Sequence, residues 1–235
     1  MSLLARDRGR ALVVAPHADD EVLGAGGLIA LLAERRWRID VAFATVSGYA
    51  SAYRRDCSDS SQRMDEMRAA TRVLGVSETL VWPDGEEFHL RLDTVPSSRL
   101  IDFVDHSIQR LQPDLVVMPC RGHYHQDHRA LAHACIAALR PAPASGRPFV
   151  PTVLAYGHTG FAWGGRECSF EPTIFVDVTS VMAKKMCALR CYATQLCDPP
   201  HPRSVEGMTS FAATWGACAG LQYAEPFECM RSVIF

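Results

Sequence analysis

With 235 residues, 48% of them hydrophobic and 21% charged, the chain has the composition of a globular protein long enough for one well-formed core. A formal net charge of −2 provides no basic field for nucleic acid or an anionic membrane surface. Arg, Asp or Gly also interrupts every apolar stretch well short of the ~20 residues that a membrane span requires. The opening MSLLARDRGRALVV lacks the long apolar region of a signal peptide, which predicts a cytoplasmic protein whose nine cysteines are reduced thiols.

In chain order, RALVVAP reads as a short buried strand, followed by a helix from about Val22 to Arg36. IDVAFATVS is a second strand, and SQRMDEMRAATRVLG a helix that ends at Gly75. ETLVWP is a third strand, SSRLIDFVDHSIQRLQ a helix, DLVVMPC a fourth strand and HRALAHACIAALR a further helix. Strand and helix alternate at a regular beat, which predicts βαβ units and a mostly parallel sheet flanked by helices. PAPASGRP is a surface loop and the natural internal boundary. Beyond it, FVPTVLAYGH and TIFVDVT read as strands, and SVMAKKMCALRCYATQ as a helix capped by Thr179 or Ser180. The last thirty residues read as a helix and a tail. The expected organisation is a single domain over 1–235, with a core over about 10–140 and a smaller C-terminal strand and helix portion over about 149–235.

Ligands of open parallel sheets bind beyond the carboxyl ends of the strands, and two of those ends carry unusual residues. After the first strand come His17, Asp19, Asp20 and Glu21 in PHADDE; after the fourth come His123, His125, Asp127 and His128 in PCRGHYHQDHRA. Three adjacent carboxylates repel one another unless they face water or share a cation, and no Lys or Arg lies between Arg10 and Glu34. A divalent metal resolves the repulsion. Zinc takes imidazole nitrogen and carboxylate oxygen, and catalytic sites use three protein ligands with a fourth position open. His17, Asp20 and His128 make such a set, with Asp19 left beside it as a base and His125 as an acid. Iron or cobalt would suit the same donors as zinc.

The rival reading of the first loop is a dinucleotide fingerprint, because GAGGLIA follows a strand. That motif needs glycines at the strand-to-helix turn, where backbone N–H groups face a pyrophosphate. Here the turn is occupied by Asp19, Asp20 and Glu21, which would repel an anion. Gly24, Gly26 and Gly27 fall later, within the helix, and are read as making room for close packing.

The paired motifs PHADDEVLGAGG and HYHQDH resemble those of the LmbE/PIG-L family of zinc-dependent N-deacetylases, and the QRMDEMRAATRVLGV helix and LQYAEPFECMR resemble that family as well. The resemblance implies a Rossmann-like fold and removal of an acetyl group from an N-acetylated amino sugar or its glycoconjugate, with release of acetate. It implies His17, Asp20 and His128 as metal ligands and Asp19 as general base. His125 would stabilise or protonate the tetrahedral intermediate, oriented by Asp127, and Arg63 would reach substrate hydroxyls or phosphate. Ala18 replaces the family's usual proline. Where some members place an oxyanion-donating tyrosine two residues before the catalytic histidine, this chain has His123, with Tyr124 next.

Other residues near strand ends are read from position alone. His158 follows a strand end among glycines and aromatics and is expected to line the pocket. Asp84 in WPDGEEF either touches substrate hydroxyls or serves as a turn residue. His89, His106 and His133 show no partner pattern and are read as structural or exposed. Two alternative functions keep the metal: an amidase for a sugar-thiol or other amide conjugate, and a binding protein that has lost catalysis. The sequence leaves the sugar, the aglycone and the oligomeric state open.

Overall fold

The computed structural model describes residues 7–48, 58–141, 146–157 and 169–233. Five strands follow the expected alternation: β1 (Arg10–His17), β2 (Arg38–Thr45), β3 (Glu78–Val81), β4 (Leu115–Pro119) and β5 (Thr152–Tyr156). They run parallel, and β6 (Ile174–Asp177) and β7 (Ala224–Ser232) complete a seven-stranded sheet in the order β3-β2-β1-β4-β5-β7-β6. β7 is antiparallel to both of its neighbours. The architecture is mixed α/β, a mostly parallel sheet flanked by helices, as the alternation predicts.

Both faces of the sheet are covered, which explains why the strands read as continuous apolar runs. Along β1, Ala11, Val13 and Ala15 enter one core layer and Leu12 and Val14 the other, following the period of two. The first layer packs under α1 (Asp20–Glu34), α2 (Ser60–Leu74), α5 (Met182–Cys191) and α6 (Val205–Ala219). The second packs under α3 (Ser97–Leu111) and α4 (Gln126–Ala138). Gly75 ends α2 in the left-handed conformation, as its position predicts.

Three boundaries differ from the sequence reading, each for a physical reason. α1 begins at Asp20 rather than near Val22, so Asp20 and Glu21 occupy its first turn, where carboxylates complement the helix dipole. α5 starts after a 3-10 turn over Thr179–Val181, so neither Thr179 nor Ser180 caps it by a side-chain hydrogen bond. The expected tail is β7, a full strand inserted between β5 and β6. Glu225 hides that strand from a hydropathy reading, because a buried carboxylate breaks the apolar pattern.

That carboxylate also explains the glycines of α1. Glu225 accepts hydrogen bonds from the backbone N–H groups of Gly27 (2.6 Å) and Leu28 (2.7 Å). Lys185 pairs with Glu225 at 2.7 Å and donates to the Leu23 carbonyl, so a buried ion pair is seated against the middle of the helix. A Cβ at Gly27 would lie 2.4 Å from Val178, and one at Gly24 would lie 2.1 Å from the Tyr156 ring. The GAGG segment therefore meets a carboxylate of the protein itself and closely packed side chains. In Gly24→Ala, overpacking costs up to ~3 kcal/mol against the ~1 kcal/mol of helix propensity gained, so a net loss of up to ~2 kcal/mol is expected. Thermal unfolding should show a Tm several degrees lower, and an unchanged or higher Tm would mean that Tyr156 yields.

Candidate active site

Strands β2 and β3 lie on one side of β1, and β4 and β5 on the other, so the chain changes winding direction between β1 and β4. The crevice at that switch point is where an open sheet binds ligands. The turn after β1 and the loop after β4 meet there. His17 closes β1, Asp20 opens α1, and His128 lies in the first turn of α4.

Asp20 Oδ2 lies 3.1 Å from His17 Nδ1 and 3.2 Å from His128 Nε2, and it also accepts from the His17 backbone N–H at 3.0 Å. One donor atom from each of these three residues falls within 4.8 Å of the other two. His17 Nε2 faces Asp127 Oδ2 at 2.9 Å, and Asp127 Oδ1 accepts from the Leu92 N–H at the same distance. The expectation that Asp127 orients His125 is thus replaced by a different pairing: its carboxylate meets His17. The reason is the start of α4, where the Asp127 backbone N–H, rather than its carboxylate, donates to His125 Nδ1 at 3.2 Å. His125 is the N-cap of that helix.

Charge follows this geometry. Burial alone would lower the His17 pKa, but hydrogen bonds and charge from Asp127 and Asp20 outweigh it and hold the ring protonated up to about 9. The site stabilises positive charge at that position. Burial raises the Asp127 carboxyl, and His17 overrides it to leave the pKa below the ordinary carboxylate value. Burial and then the His17 charge push His125 down. With the Asp127 N–H donating to Nδ1, the neutral His125 ring carries its proton on Nε2.

Asp19 is 3% exposed and has φ 128°, a strained backbone for a residue with a side chain. Its N–H donates to Glu21 Oε2 at 3.1 Å, and its carbonyl accepts from Val22 and Leu23 in the first turn of α1. Tyr192 donates to the other Glu21 oxygen at 2.6 Å. Burial raises the Glu21 pKa to about 8 against the pull of that hydroxyl. Burial likewise raises Asp19, opposed chiefly by the charge of Arg203.

Arg63 reaches the same turn from α2. Its Nη2 donates to the Ala18 carbonyl and its Nη1 to Glu66 at 3.0 Å, while the guanidinium lies over the Tyr192 ring. Both terminal nitrogens thus have protein partners under the turn. Asp84 is half-exposed and pairs with Arg99 of α3 at 2.7 Å, so it has a structural partner in the loop after β3. His158 lies outside the described residues. His123 stacks on His128 with ring centroids 3.9 Å apart and accepts from the His125 N–H, while exposed Tyr124 stacks on its outer face.

Two residues at the site had no signal in the sequence reading. His89, read there as structural or exposed, lies with its ring edge-on to His17 at 5.7 Å and with Nδ1 3.1 Å from the Thr45 hydroxyl. Burial, then the His17 charge, lowers its pKa to about 4. Arg203, just before the Ser204 cap of α6, pairs with Asp19 Oδ2 at 3.5 Å across 184 residues of sequence. Nothing local to HPRSVEG marks it.

The donor chemistry fits a divalent metal. Two imidazoles and one carboxylate suit zinc or iron(II), and Asp127 behind His17 is the carboxylate partner that metal-binding histidines commonly have. A second group of three, His17, His125 and Asp127, also has donor atoms within 4.8 Å of one another. Either set uses His17, so a metal must displace the proton that the ring holds up to about 9. Metal affinity should therefore rise by about tenfold per pH unit toward that value and level off above it. Competition with a chromophoric chelator at several pH values measures this slope, and a flat response would remove His17 from the ligand set.

The fold and the site together define a class: an open, mostly parallel α/β sheet with a His/Asp donor cluster at its switch point. The family described as "PIG-L: GlcNAc-PI de-N-acetylase" matches residues 12–139, and the chain belongs to that family. The 4-oxalmesaconate hydratase of Pseudomonas putida is 31% identical over 195 residues, covering 79% of this chain and 73% of that protein. The diacetylchitobiose deacetylase of Thermococcus kodakarensis is 25% identical over 236 residues, covering 93% and 82%. The crystal structure of the conserved protein TT1542 from Thermus thermophilus superposes with a TM-score of 0.72 at 26% identity, covering 96% of each chain. Among the described residues, no helix is long and apolar enough to cross a membrane.

Proposed function

We propose that this chain is a metal-dependent N-deacetylase that hydrolyses the acetamide of an N-acetylated amino sugar or its conjugate, giving acetate and a free amine. The observation that carries the reading is the buried Asp19 carboxylate, fixed in a strained turn one residue before Asp20, whose Oδ2 lies between ring nitrogens of His17 and His128. Kinship with the diacetylchitobiose deacetylase supports the amide as substrate.

His17, Asp20 and His128 hold the metal, with zinc as the first expectation and iron(II) or cobalt as alternatives. A divalent ion there lowers the pKa of water and polarises a carbonyl. Asp127 orients His17 through Nε2. Asp19 takes the proton of the attacking water as the new C–O bond forms at the carbonyl carbon. It returns that proton to nitrogen as the C–N bond breaks, so one carboxylate serves as base and then as acid. His125, with its proton on Nε2, donates to the developing oxyanion. Glu21 and Arg63 hold the turn that carries Asp19, from its backbone N–H and from the neighbouring Ala18 carbonyl respectively.

A second reading has its own support. The 31% identity to a hydratase favours addition of water across a conjugated carbon–carbon double bond, which would use the same base and cation. One experiment separates the two. The zinc-loaded protein is assayed for acetate release from free, nucleotide-linked and glycoside-linked N-acetylamino sugars, and for the loss of ultraviolet absorbance of an unsaturated oxo-tricarboxylate. Acetate release alone supports the deacetylase. Absorbance loss without acetate overturns it in favour of the hydratase.

A further inference from the structure

Arg203 is the cation at the site that the proposed chemistry does not use. Its side chain is 32% exposed, while the carboxylate that it faces, on Asp19, is 5% exposed. A guanidinium has five N–H donors in a planar fork. Among the described residues its one hydrogen bond is from Nη1 to Asp19 Oδ2, at 3.5 Å, the long limit for such a bond. No hydrogen bond of the remaining donors is seen among the described residues, and the one that is made places the guanidinium against the Asp19 carboxylate. The side chain is held there from behind: the Arg203 N–H donates to His201 Nδ1 at 3.1 Å, the Ser204 N–H donates to the His201 carbonyl, and Ser204 Oγ caps α6 by accepting from Gly207. An arginine fixed at its backbone, with about a third of its side chain exposed and only a long hydrogen bond to its partner, is arranged to take an external anion.

We infer that Arg203 is a specificity-determining residue that binds a carboxylate of the substrate next to the bond being hydrolysed. The inference rests on the deacetylase reading for the identity of that bond. A carboxylate is favoured over a phosphate because Asp19, Asp20 and Asp127 crowd the same crevice. A dianion would be repelled about twice as strongly as a monoanion by those charges. The planar fork also matches a planar carboxylate by two parallel hydrogen bonds. The substrate class is then an N-acetylamino sugar bearing a carboxylic acid on or near the sugar, rather than a neutral glycoside.

The test uses the zinc-loaded full chain, with Arg203→Met, which removes the fork, and Arg203→Lys, which keeps charge without it. kcat/KM for acetate release is compared between methyl N-acetylglucosaminide and the same sugar linked to a hydroxydicarboxylate, with N-acetylglucosamine 1-phosphate as the phosphate arm. The expected result is a preference for the carboxylate in the unaltered protein that collapses by roughly 10- to 100-fold in Arg203→Met, mostly in KM, with Arg203→Lys intermediate. Binding of malate alone is followed by calorimetry, which needs no turnover; its affinity should fall in the same order while metal content stays stoichiometric. Equal malate affinity in all three proteins would place the carboxylate on the metal and overturn the inference. So would an acid-to-neutral ratio that Arg203→Met leaves unchanged, or a preference for the phosphate arm. Absence of acetate from every substrate would overturn the deacetylase reading alone, since the malate titration still reports on Arg203.

Discussion

Replacing His128 with alanine should remove the bound metal and, with it, all measurable turnover. In the proposed set this imidazole supplies one of three donors, and loss of a residue that merely supports a ligand already costs ~10–100-fold in metal affinity. Loss of the ligand itself exceeds that. His128 is also the ring on which His123 stacks, so the substitution leaves a gap beneath the loop after β4, and folding must be checked by thermal unfolding before metal is counted. The informative comparison is with His125→Ala. If His17, Asp20 and His128 are the ligands, His125→Ala retains one metal per chain and loses rate. If metal survives in His128→Ala and vanishes in His125→Ala, the ion uses the other group of three, His17, His125 and Asp127. Elemental analysis of the two purified variants decides between them, independently of any substrate.

The parts of this site that the sequence exposes are those set by local rules. A strand that ends in PHADDE and another followed by HYHQDH place their polar residues at the same sheet edge once the sheet is parallel, because strand direction alone determines which ends coincide. That is sufficient to bring His17, Asp20 and His128 together. It does not determine which carboxylate serves which imidazole. Asp127 is adjacent in sequence to His128 and two residues from His125, yet its carboxylate crosses to His17, because helix capping commits the backbone of the loop and turns the side chain away. Arg203 and Glu225 were hidden for a related reason. Each is a charged residue in an unremarkable stretch, and each acquires its meaning from a partner far away, Asp19 in one case and the N–H groups of Gly27 and Leu28 in the other. His89 follows the same pattern, because the loop after β3 returns over β1 and no periodicity encodes that path. The glycines of α1 were legible as a need for space, but the carboxylate and lysine that meet them were not.

Asp19→Asn should keep the metal and lose turnover by ~10²- to 10⁴-fold, the usual contribution of a general base. The substitution preserves size and removes the proton acceptor. Asp19 belongs to neither donor group, so the coordinating atoms are untouched. Its raised pKa gives the prediction a signature in pH. The ionised form is the competent base, so activity falls as pH drops through the Asp19 pKa. Burial raises that pKa, and a divalent cation held by the adjacent Asp20 would pull it back down, so the limb should lie lower in pH when the metal is bound than burial alone would set it. Arg203 opposes the shift by favouring the charged form, so Arg203→Met should move the same limb further up in pH. In Asp19→Asn the residual activity should lack this limb altogether. Two results would contradict the assignment: near-normal turnover in Asp19→Asn, which would leave water activation to the cation alone, or loss of metal, which would make Asp19 a ligand. An acid limb that persists at the same pH in the slow variant would assign that titration to another group, with Glu21, held at about 8, the next to replace.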